Sequence, residues 1–345
     1  MKFCIQLSAD YPDKQYGGDR VYADMLAQAK LADTSGFESV SITEHHLMNC
    51  LMMPAPLLFA VKIADATSAI NILTSVVVLP LHDMRSYAGE VVVADIFTDG
   101  RLMLGVGRGA FAYEMERLGV AMSETQARFN ESLDVLQKLL NEEEVSWNGE
   151  YYQFDSLTIM PRPVRLGGPP LMMAVMNPEG IYHCTKNGFH IQTTPLSGNH
   201  QYLVDQVSAF NRGCEARDDA GKELTLSLSR VAQIANTDAS HKKKLEQAHR
   251  YYGRFDNVFK GPGLVENGMA AELPCSTPID ELGESLLICS TTEMIDRVGT
   301  YAELGIDRLI INPNFGLDAA ETLESLQCFA EDVIPHFSKP ETAVV

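Results

Sequence analysis

Two kinds of apolar segment alternate along this chain. Short runs rich in β-branched residues predict buried parallel strands, and longer stretches with apolar residues three or four positions apart predict amphipathic helices. The predicted strands cover residues 3–8, 39–46, 71–80, 102–107, 170–175, 189–194, 224–234 and 307–312. The predicted helices cover residues 20–35, 56–68, 84–97 and 123–144 and a last segment from 318, and Asn148-Gly149 predicts the turn of a hairpin within 147–164.

This alternation predicts an α/β fold, a (β/α)8 TIM barrel with insertions, formed by residues 1–345 as a single domain. A doubly wound sheet is the main alternative, but such a sheet would carry a Gly-rich fingerprint after its first strand, and this chain has none there. The segment 255–289 lies between the seventh and eighth strands and is too long for an ordinary connection. We expect it to be a lid at the C-terminal face of the barrel, and an insertion without a role is the alternative.

Charged and imidazole side chains follow two consecutive strands. Glu44, His45 and His46 end the second strand, and His82 follows the third. Side chains at the C-terminal ends of barrel strands face the active site, so these residues are candidates for catalysis. The alternative is a surface loop with structural histidines.

The fourth strand ends in Gly107-Arg108-Gly109. Glycines at a strand end let a ligand approach the backbone closely, and Arg108 supplies a fixed cation suited to a phosphate. The alternative is that the glycines only relieve crowding in the barrel. Together with the histidines, this segment predicts an anionic cofactor beside a proton-handling group.

Charge and composition exclude several classes of function. The net charge of −19 argues against a nucleic-acid partner or an anionic membrane surface. The chain starts without the features of a signal peptide, and no apolar run approaches the length of a membrane-spanning helix. The 7 cysteines form no CxxC pair, so we expect reduced thiols, a cytoplasmic protein and no metal site.

The motifs in their order resemble the bacterial luciferase-like flavin monooxygenases, with the catalytic α-type luciferase subunit and its non-luminous relatives as the nearest group. The residues that carry the resemblance are the Met1-Lys2-Phe3 start, Gly36-Phe37, Glu44-His45-His46, Val78-Leu79-Pro80 with His82, the segment from Gly100-Arg101 to Gly107-Arg108-Gly109, Pro169-Pro170 and Leu304-Gly305-Ile306. The resemblance implies a luciferase-like barrel that uses reduced FMN (FMNH2) and O2. It also implies a homodimer or heterodimer that packs through helices near the second and third strands.

The resemblance assigns roles to particular residues. His45 is similar to the family's catalytic histidine, with Glu44 and His46 as its neighbours, and Arg108 to an arginine that binds the FMN phosphate. The remaining cofactor-binding positions that it implies are Ser75, Val76, His82, Gly107, Gly109, Met176 and Asn177. Ser75-Val76 falls where the family often has a non-proline cis peptide. Met176-Asn177 departs from the family's usual serine, and Phe111 stands where the α-type subunit has a tyrosine.

The implied reaction is oxygen insertion by a flavin C4a-(hydro)peroxide. Phe111 and Met48 are expected to line a largely apolar substrate pocket for an aldehyde, a ketone or a heteroaromatic ring, although a Met-rich stretch is as often plain packing. The chain has no NAD(P)H fingerprint, so a separate flavin reductase is expected to supply FMNH2.

Three alternatives stay open at this point. F420-dependent oxidoreductases of the same fold commonly carry Ser-Asp-His where this chain has Thr43-Glu44-His45-His46. Non-catalytic flavin-binding proteins of the fold typically lose the histidine that this chain retains. A zinc hydrolase is the third, but adjacent histidines on a strand point to opposite faces, which makes joint ligation awkward.

Overall fold

The computed structural model describes residues 1–196, 200–217 and 223–338. The predicted domain 1–345 therefore extends beyond the described residues at its last positions, 339–345. No helix in the described ranges has the length and apolar character needed to cross a membrane.

The strands in chain order are β1 (Lys2–Gln6), β2 (Ser39–Ile42), β3 (Asn71–Thr74), β4 (Val77–Val78), β5 (Leu102–Gly107), β6 (Val145–Asn148), β7 (Gln153–Leu157), β8 (Leu171–Ala174), β9 (His190–Thr193), β10 (Leu226–Ile234), β11 (Val265–Glu266), β12 (Met269–Ala270), β13 (Leu287–Cys289) and β14 (Arg308–Asn312). The helices are α1 (Gly18–Thr34), α2 (Pro56–Ala66), α3 (Met84–Phe97), α4 (Ala112–Arg117), α5 (Thr125–Asn141), α6 (Pro178–Lys186), α7 (His200–Glu215), α8 (Asp238–Phe259), α9 (Ile279–Ser285), α10 (Thr291–Leu304) and α11 (Ala319–Cys328). Short 3-10 turns cover Lys14–Tyr16, Leu79–Leu81 and Ile334–His336, and a π-helical turn covers Phe329–Val333.

Eight parallel strands close into a barrel, which confirms the predicted (β/α)8 fold. Around the ring the order is β14, β1, β2, β3, β5, β8, β9 and β10, and β10 pairs with both β9 and β14 to close it. The strands are buried almost throughout, as expected when helices cover the outside and side chains fill the inside. Cys4, Leu73, Met172 and Ile310, one from each of four strands, form an apolar cluster apart from the main core.

Local signals explain where several elements begin and end. The predicted stop of α1 is confirmed, because Gly36 follows it with a φ of +85° that favours glycine. The side chain of Asp83 caps α3, whose bounds agree with the prediction, and Asp318 caps α11 by accepting hydrogen bonds from two backbone N–H groups.

Three expectations need correction. The predicted strand 71–80 is broken after Thr74 by a cis Ser75–Val76 peptide bond and continues as the short strand β4. The predicted helix 123–144 is shorter, and the separate helix α4 precedes it. The hairpin of β6 and β7 is present, but its turn covers residues 149–152, because Asn148 pairs with Gln153.

The segment 255–289 is folded and is not a loop throughout. Its first residues are the end of α8, and its last residues form β13, a buried strand that pairs with Ala232–Ile234 of β10. Asn257 ties the part between them by hydrogen bonds to Leu264 and Ala271.

Candidate active site

A cavity of about 320 Å³ opens at the C-terminal end of the barrel. Each of the eight ring strands contributes at least one side chain at or near its carboxyl end, and α8 supplies a further wall. The cavity therefore lies where barrel enzymes place their chemistry. Among the predicted site residues, those that line it are Glu44, His45, Ser75, Val76, Gly107, Arg108, Gly109, Phe111 and Met176.

Glu44 is buried and holds the polar side of the cavity together. Its Oε1 accepts hydrogen bonds from Nε2 of His46 at 2.9 Å and Nε2 of His82 at 2.8 Å, and its Oε2 accepts one from the backbone N–H of Val78 at 2.7 Å. Burial alone would raise the pKa of Glu44, but these hydrogen bonds and the His82 charge lower it to about 2. Glu44 is therefore a carboxylate anchor and a poor proton donor near neutral pH.

His46 and His82 are not among the described residues that line the cavity. Both point at Glu44, and the His82 ring stacks on Tyr87 with a centroid distance of 4.1 Å. The 3-10 turn after β4 carries His82 to a separate polar cleft beside Asp83 and Tyr152. His82 therefore lies outside the cavity lining and is a hydrogen-bond partner of Glu44, so the geometry does not support its predicted contact with the cofactor.

The His46–Glu44 pair predicts a pH-dependent contribution to stability. The hydrogen bond to Glu44 raises the pKa of His46 above its ordinary 6.5, against the opposing effect of burial, and the nearby Glu44 and Glu114 charges act in the same direction. A raised folded-state pKa stabilises the protein fully below pH 6.5, and this stabilisation is lost as the pH rises through the folded-state pKa. We expect His46→Gln, which keeps an amide donor but does not titrate, to remove that loss. Urea unfolding at several pH values from 6 to 9 measures it, and equal pH slopes in variant and parent would contradict it.

His45 differs from His46 because it has its own carboxylate partner and lines the cavity. Nδ1 of His45 lies 3.0 Å from Oε1 of Glu114, and the backbone N–H of His46 donates to Oε2 of the same residue at 2.7 Å. A carboxylate at Nδ1 assigns the proton to that nitrogen in the neutral ring. Nε2 then has its lone pair free, and it has no hydrogen-bond partner among the described residues.

The backbone after β2 fixes the position of the His45 ring. His45 pairs with Met53 through two backbone hydrogen bonds, so the intervening loop folds back on itself. Leu47 and Leu51 accommodate this return with positive φ angles. The His45 ring then stacks on Phe111 with a centroid distance of 4.3 Å and an interplanar angle of 15°.

Glu114 is a residue of the candidate site that the sequence did not reveal. It lies on α4 and is fully buried, although the local sequence Tyr113-Glu114-Met115-Glu116 looks like an exposed helix. The only sequence signal is that α4 follows directly after the Gly-Arg-Gly segment, at the mouth of the barrel. A buried carboxylate that orients a histidine is a common arrangement in general acid–base sites.

Arg108 lines the cavity with an exposed side chain. Its Nη1 donates to Oγ1 of Thr125 at 3.0 Å, at the first turn of α5, and no carboxylate among the described residues forms an ion pair with it. A cation held in place at a cavity mouth without a carboxylate partner suits a phosphate group. Because the Arg108 charge has no carboxylate partner among the described residues, the site fits an anionic cofactor.

The glycines around Arg108 serve the protein more than a ligand. A Cβ at Gly107 would lie 2.6 Å from Cγ2 of Val76, and one at Gly105 would lie 2.0 Å from the carbonyl oxygen of Thr74. Gly109 has a φ of +83°, in the left-handed region. Relief of crowding between β5 and the Ser75–Val76 bend therefore accounts for Gly105 and Gly107.

The Ser75–Val76 bend forms part of the cavity wall. Its peptide bond is cis, as the family resemblance implies. The Ser75 hydroxyl lies 2.8 Å from Oε1 of Gln192 on β9, so the bend is tied across the barrel. Gln192, which the sequence gave no reason to single out, also lines the cavity.

Two other predicted residues lie away from the cavity lining. Asn177 caps α6 by accepting a hydrogen bond from the backbone N–H of Gly180. Met48 is buried in an apolar cluster with Phe111 and Tyr251 behind the wall. These positions indicate structural roles, a helix cap for Asn177 and packing for Met48.

One wall of the cavity is aromatic and adjoins the His45 ring through Phe111. Four aromatic residues of α8 line the cavity, and they are Tyr251, Tyr252, Phe255 and Phe259. The Phe255 and Phe259 rings stack with a centroid distance of 5.2 Å, and Phe111 meets Phe255 edge to face at 5.8 Å. These rings cover the side of the cavity that the sequence assigned to a lid.

Comparison with known proteins places the chain among flavin enzymes. A family model described as luciferase-like monooxygenase matches residues 1–308. The oxygenase component of the flavin-dependent trigonelline monooxygenase of Acinetobacter baylyi is 27% identical over 349 residues, which cover 98% of this chain and 96% of that protein.

Two further likenesses bear on the fold and the cofactor. The F420-dependent glucose-6-phosphate dehydrogenase of Beutenbergia cavernae is 27% identical over 336 residues, which cover 93% of this chain and 95% of that protein. The crystal structure of the monooxygenase RslO1 from Streptomyces bottropensis superposes with a TM-score of 0.84 at 22% identity and covers 98% of this chain and 100% of that chain. The second likeness supports the barrel fold.

Proposed function

Since the chain belongs to the luciferase-like monooxygenase family and is thereby a flavin-dependent monooxygenase, we propose that it is the oxygenase component of a two-component system. It uses FMNH2 and O2 to insert one oxygen atom into a small organic substrate. The observation that carries the proposal is His45, whose Nε2 is free at the cavity wall while Glu114 holds Nδ1. The proposed substrate is an aldehyde, a ketone or a heteroaromatic ring.

Arg108 would hold the phosphate of reduced FMN, and the bend at Ser75 and Val76 would support its ring system beside Gly107. Bound FMNH2 supplies the two electrons and the reactive centre for O2. The protein supplies orientation and controls protons and water.

His45 would accept or return a proton at Nε2 during oxygen transfer. Glu114 holds the ring in one tautomer, and the Phe111 stack fixes its plane. A histidine in such a position works as a general base or acid near neutral pH. The aromatic wall of α8 would exclude water, on which productive oxygen transfer depends. The part of segment 255–289 behind that wall would act as its lid.

A separate flavin reductase is proposed as a partner. The relative from Acinetobacter baylyi is named as an oxygenase component, which supports such a division of labour. The proposal also places the protein in the cytoplasm, where its cysteines, all free in the structure, would stay reduced.

A homodimer is proposed from an apolar surface on α3. Phe97 is 63% exposed, and Leu166, in the loop that Arg165 ties to Asp95 of α3, is 92% exposed. Leu58 on the neighbouring helix α2 is also exposed. Exposed large apolar residues on neighbouring elements are typical of an interface.

We expect Phe97→Glu to weaken the dimer, because it would place a charge within the apolar contact. Loss of a central aromatic contact raises the dissociation constant about 30-fold or more. Light scattering after size-exclusion chromatography over a concentration series measures the effect. Leu264→Glu is the control, because Leu264 is an exposed apolar residue that lies on the segment 255–289 and not on α2 or α3. Equal dimer stability in the Phe97 variant and the parent would contradict this interface.

The main alternative is an F420-dependent oxidoreductase, since a relative of that activity has the same 27% identity, although its alignment covers 93% of this chain against 98% for the monooxygenase relative. A non-catalytic flavin-binding protein is the other alternative. Cofactor preference distinguishes the F420-dependent oxidoreductase from the proposed monooxygenase, because an F420 enzyme binds F420 more tightly than FMN. Product formation distinguishes the non-catalytic flavin-binding protein, which would form no product.

The cofactor assignment is tested at Arg108. We expect Arg108→Ala to remove a charge-assisted contact worth about 1.5–3 kcal/mol and so to weaken FMN binding by about 10- to 150-fold. Riboflavin, which lacks the phosphate, should bind the variant and the parent equally. Titration with oxidised and with anaerobically reduced FMN gives the dissociation constants. An unchanged FMN affinity, or tighter binding of F420 than of FMN by the parent, would refute the assignment.

A further inference from the structure

Arg230 is a second arginine on the cavity wall, and it has no part in the proposed binding of FMN or in the proposed proton transfer. It lies on β10, and only 7% of its surface is exposed. Nη1 donates to the carbonyl oxygen of Leu196 at 3.0 Å, and Cζ lies 5.8 Å from the centroid of the Tyr301 ring. Nε is buried and has no hydrogen-bond partner within the part of the chain that the structure describes.

No carboxylate among residues 1–196, 200–217 and 223–338 forms an ion pair with Arg230. A guanidinium stays charged at all relevant pH values, and a buried charge without a counter-ion is unfavourable. One carbonyl and one aromatic ring compensate it only in part. The unpartnered edge of the guanidinium, formed by Nε and Nη2, is the edge that binds a carboxylate with two parallel hydrogen bonds.

The charges on the cavity wall favour an anion. Glu44 is the one carboxylate among the described lining residues, and three donors already occupy it. Arg108 and Arg230 face the same cavity in a protein whose net charge is −19. Two cations in one cavity fit two anionic groups, and a single flavin phosphate supplies one of them.

The neighbours of Arg230 indicate what the rest of the ligand would be. Tyr252 lies close enough for the Arg230 charge to oppose the effect of burial, which raises the pKa of Tyr252 to about 12, so the phenol stays neutral. Tyr251 and Phe255 continue the same aromatic wall. A flat apolar body would stack there while a charged group reached Arg230.

We propose that Arg230 binds the carboxylate of the organic substrate, and that the substrate class is therefore an aromatic or heteroaromatic carboxylic acid. This inference rests on the proposed function and narrows it, because it replaces a largely apolar substrate by an anionic one. Two other roles compete with it. Arg230 could serve only to hold Leu196 and pack on Tyr301, or it could be a second anchor for the flavin phosphate.

The test is a binding measurement that does not require turnover. Calorimetry compares benzoate, nicotinate and phenylacetate with their neutral amides, with and without bound oxidised FMN. We expect the parent to bind at least one acid about 10- to 100-fold more tightly than its amide. Arg230→Met should abolish that preference, and Arg230→Lys should restore part of it, because lysine keeps the charge but lacks the planar fork.

Matched measurements separate the competing roles. The ratio of FMN affinity to riboflavin affinity reports the contact with the phosphate. This ratio should be the same in Arg230→Met as in the parent, and it should fall in Arg108→Met. An FMN preference lost in Arg230→Met would make Arg230 a phosphate anchor and overturn the proposal. An acid preference that is absent from the parent or survives in Arg230→Met would also overturn it. If Arg230→Met does not fold, as judged by near-ultraviolet circular dichroism, the comparison of the parent with Arg230→Lys and Arg230→Gln decides by the same criteria.

Failure of the proposed function gives a different result. If no substrate is oxygenated when FMNH2 and O2 are supplied, but the Arg230-dependent acid preference is present, the enzyme assignment fails and the carboxylate site stands. If oxygenation occurs with neutral substrates only, and the parent binds the acids no more tightly than their amides, the enzyme assignment stands and the carboxylate site fails.

Discussion

Replacing His45 by alanine is expected to lower product formation by about 10²- to 10⁴-fold, the range for loss of a positioned acid–base group. The expected loss follows from the geometry of the ring, whose Nδ1 is held by Glu114 while Nε2 is free at the cavity wall. FMN affinity should be retained, because Arg108 and the Ser75–Val76 bend are untouched. Electrons from FMNH2 would then appear as hydrogen peroxide in place of product. The measurement is the ratio of product to hydrogen peroxide for each flavin oxidised.

Two companion variants make the His45 result specific. Glu114→Gln leaves His45 in place but removes the charge that orients its ring, so we expect a smaller loss of product and a changed pH profile of the rate. His183→Ala removes an exposed histidine on α6 and should leave the product ratio unchanged. If His45→Ala couples flavin oxidation to product as well as the parent does, His45 is not the acid–base group.

Arg254→Met is expected to lower the free energy of unfolding by about 3–5 kcal/mol, the usual effect of breaking a buried ion pair. Arg254 lies on α8 with a buried side chain, and its Nη2 donates to Oδ2 of Asp10 at 2.6 Å. Its Nη1 donates to Oε2 of Glu272 at 2.9 Å. The arginine thus joins the loop after β1, the aromatic wall and the segment behind that wall, and its loss leaves Asp10 buried without a counter-ion.

A nearby arginine provides a matched control for that variant. Arg250 lies one turn earlier on α8 and donates to the same Glu272, but its side chain is 63% exposed. Exposed pairs contribute about 0–1 kcal/mol, so Arg250→Met should leave stability nearly unchanged. Urea unfolding followed by circular dichroism gives both values. Equal effects of the two substitutions would show that burial of the Arg254–Asp10 pair does not control its contribution.

Much of the barrel could be predicted from the sequence because its signals are local. The buried run of β2 and the bounds of α3 follow from apolar periodicity and from the Asp83 cap. The structure of the segment 255–289 was harder to predict. Its first residues, Phe255 and Phe259, belong to the last turn of α8, and they are recognisable as a helix face only because their rings pack together in the structure. Strand β13 is three residues long and gains its stability from pairing with β10, which the sequence does not reveal.

The candidate site was predictable only in part, because only some of its residues are marked by local sequence signals. Glu44, His45 and Arg108 could be found because they directly follow strands whose ends meet at one mouth. Glu114 and Arg230 could not, because their burial depends on how α4 and β10 pack against distant segments. The position of His82 beside Glu44, away from the cavity lining, depends on the bend after β3 and the 3-10 turn, which have no clear sequence signal.

Isotopic oxygen gives the most direct test of whether this protein is a monooxygenase. The protein, supplied with photoreduced FMN and oxygen-18 gas, is incubated with a panel of aromatic acids, aldehydes and ketones, and products are identified by mass spectrometry. We expect at least one product that carries a single oxygen-18 atom, that requires both FMNH2 and O2, and that His45→Ala fails to form. A product formed without O2, or one that is oxidised but carries no oxygen-18, would contradict the monooxygenase assignment and favour a dehydrogenase.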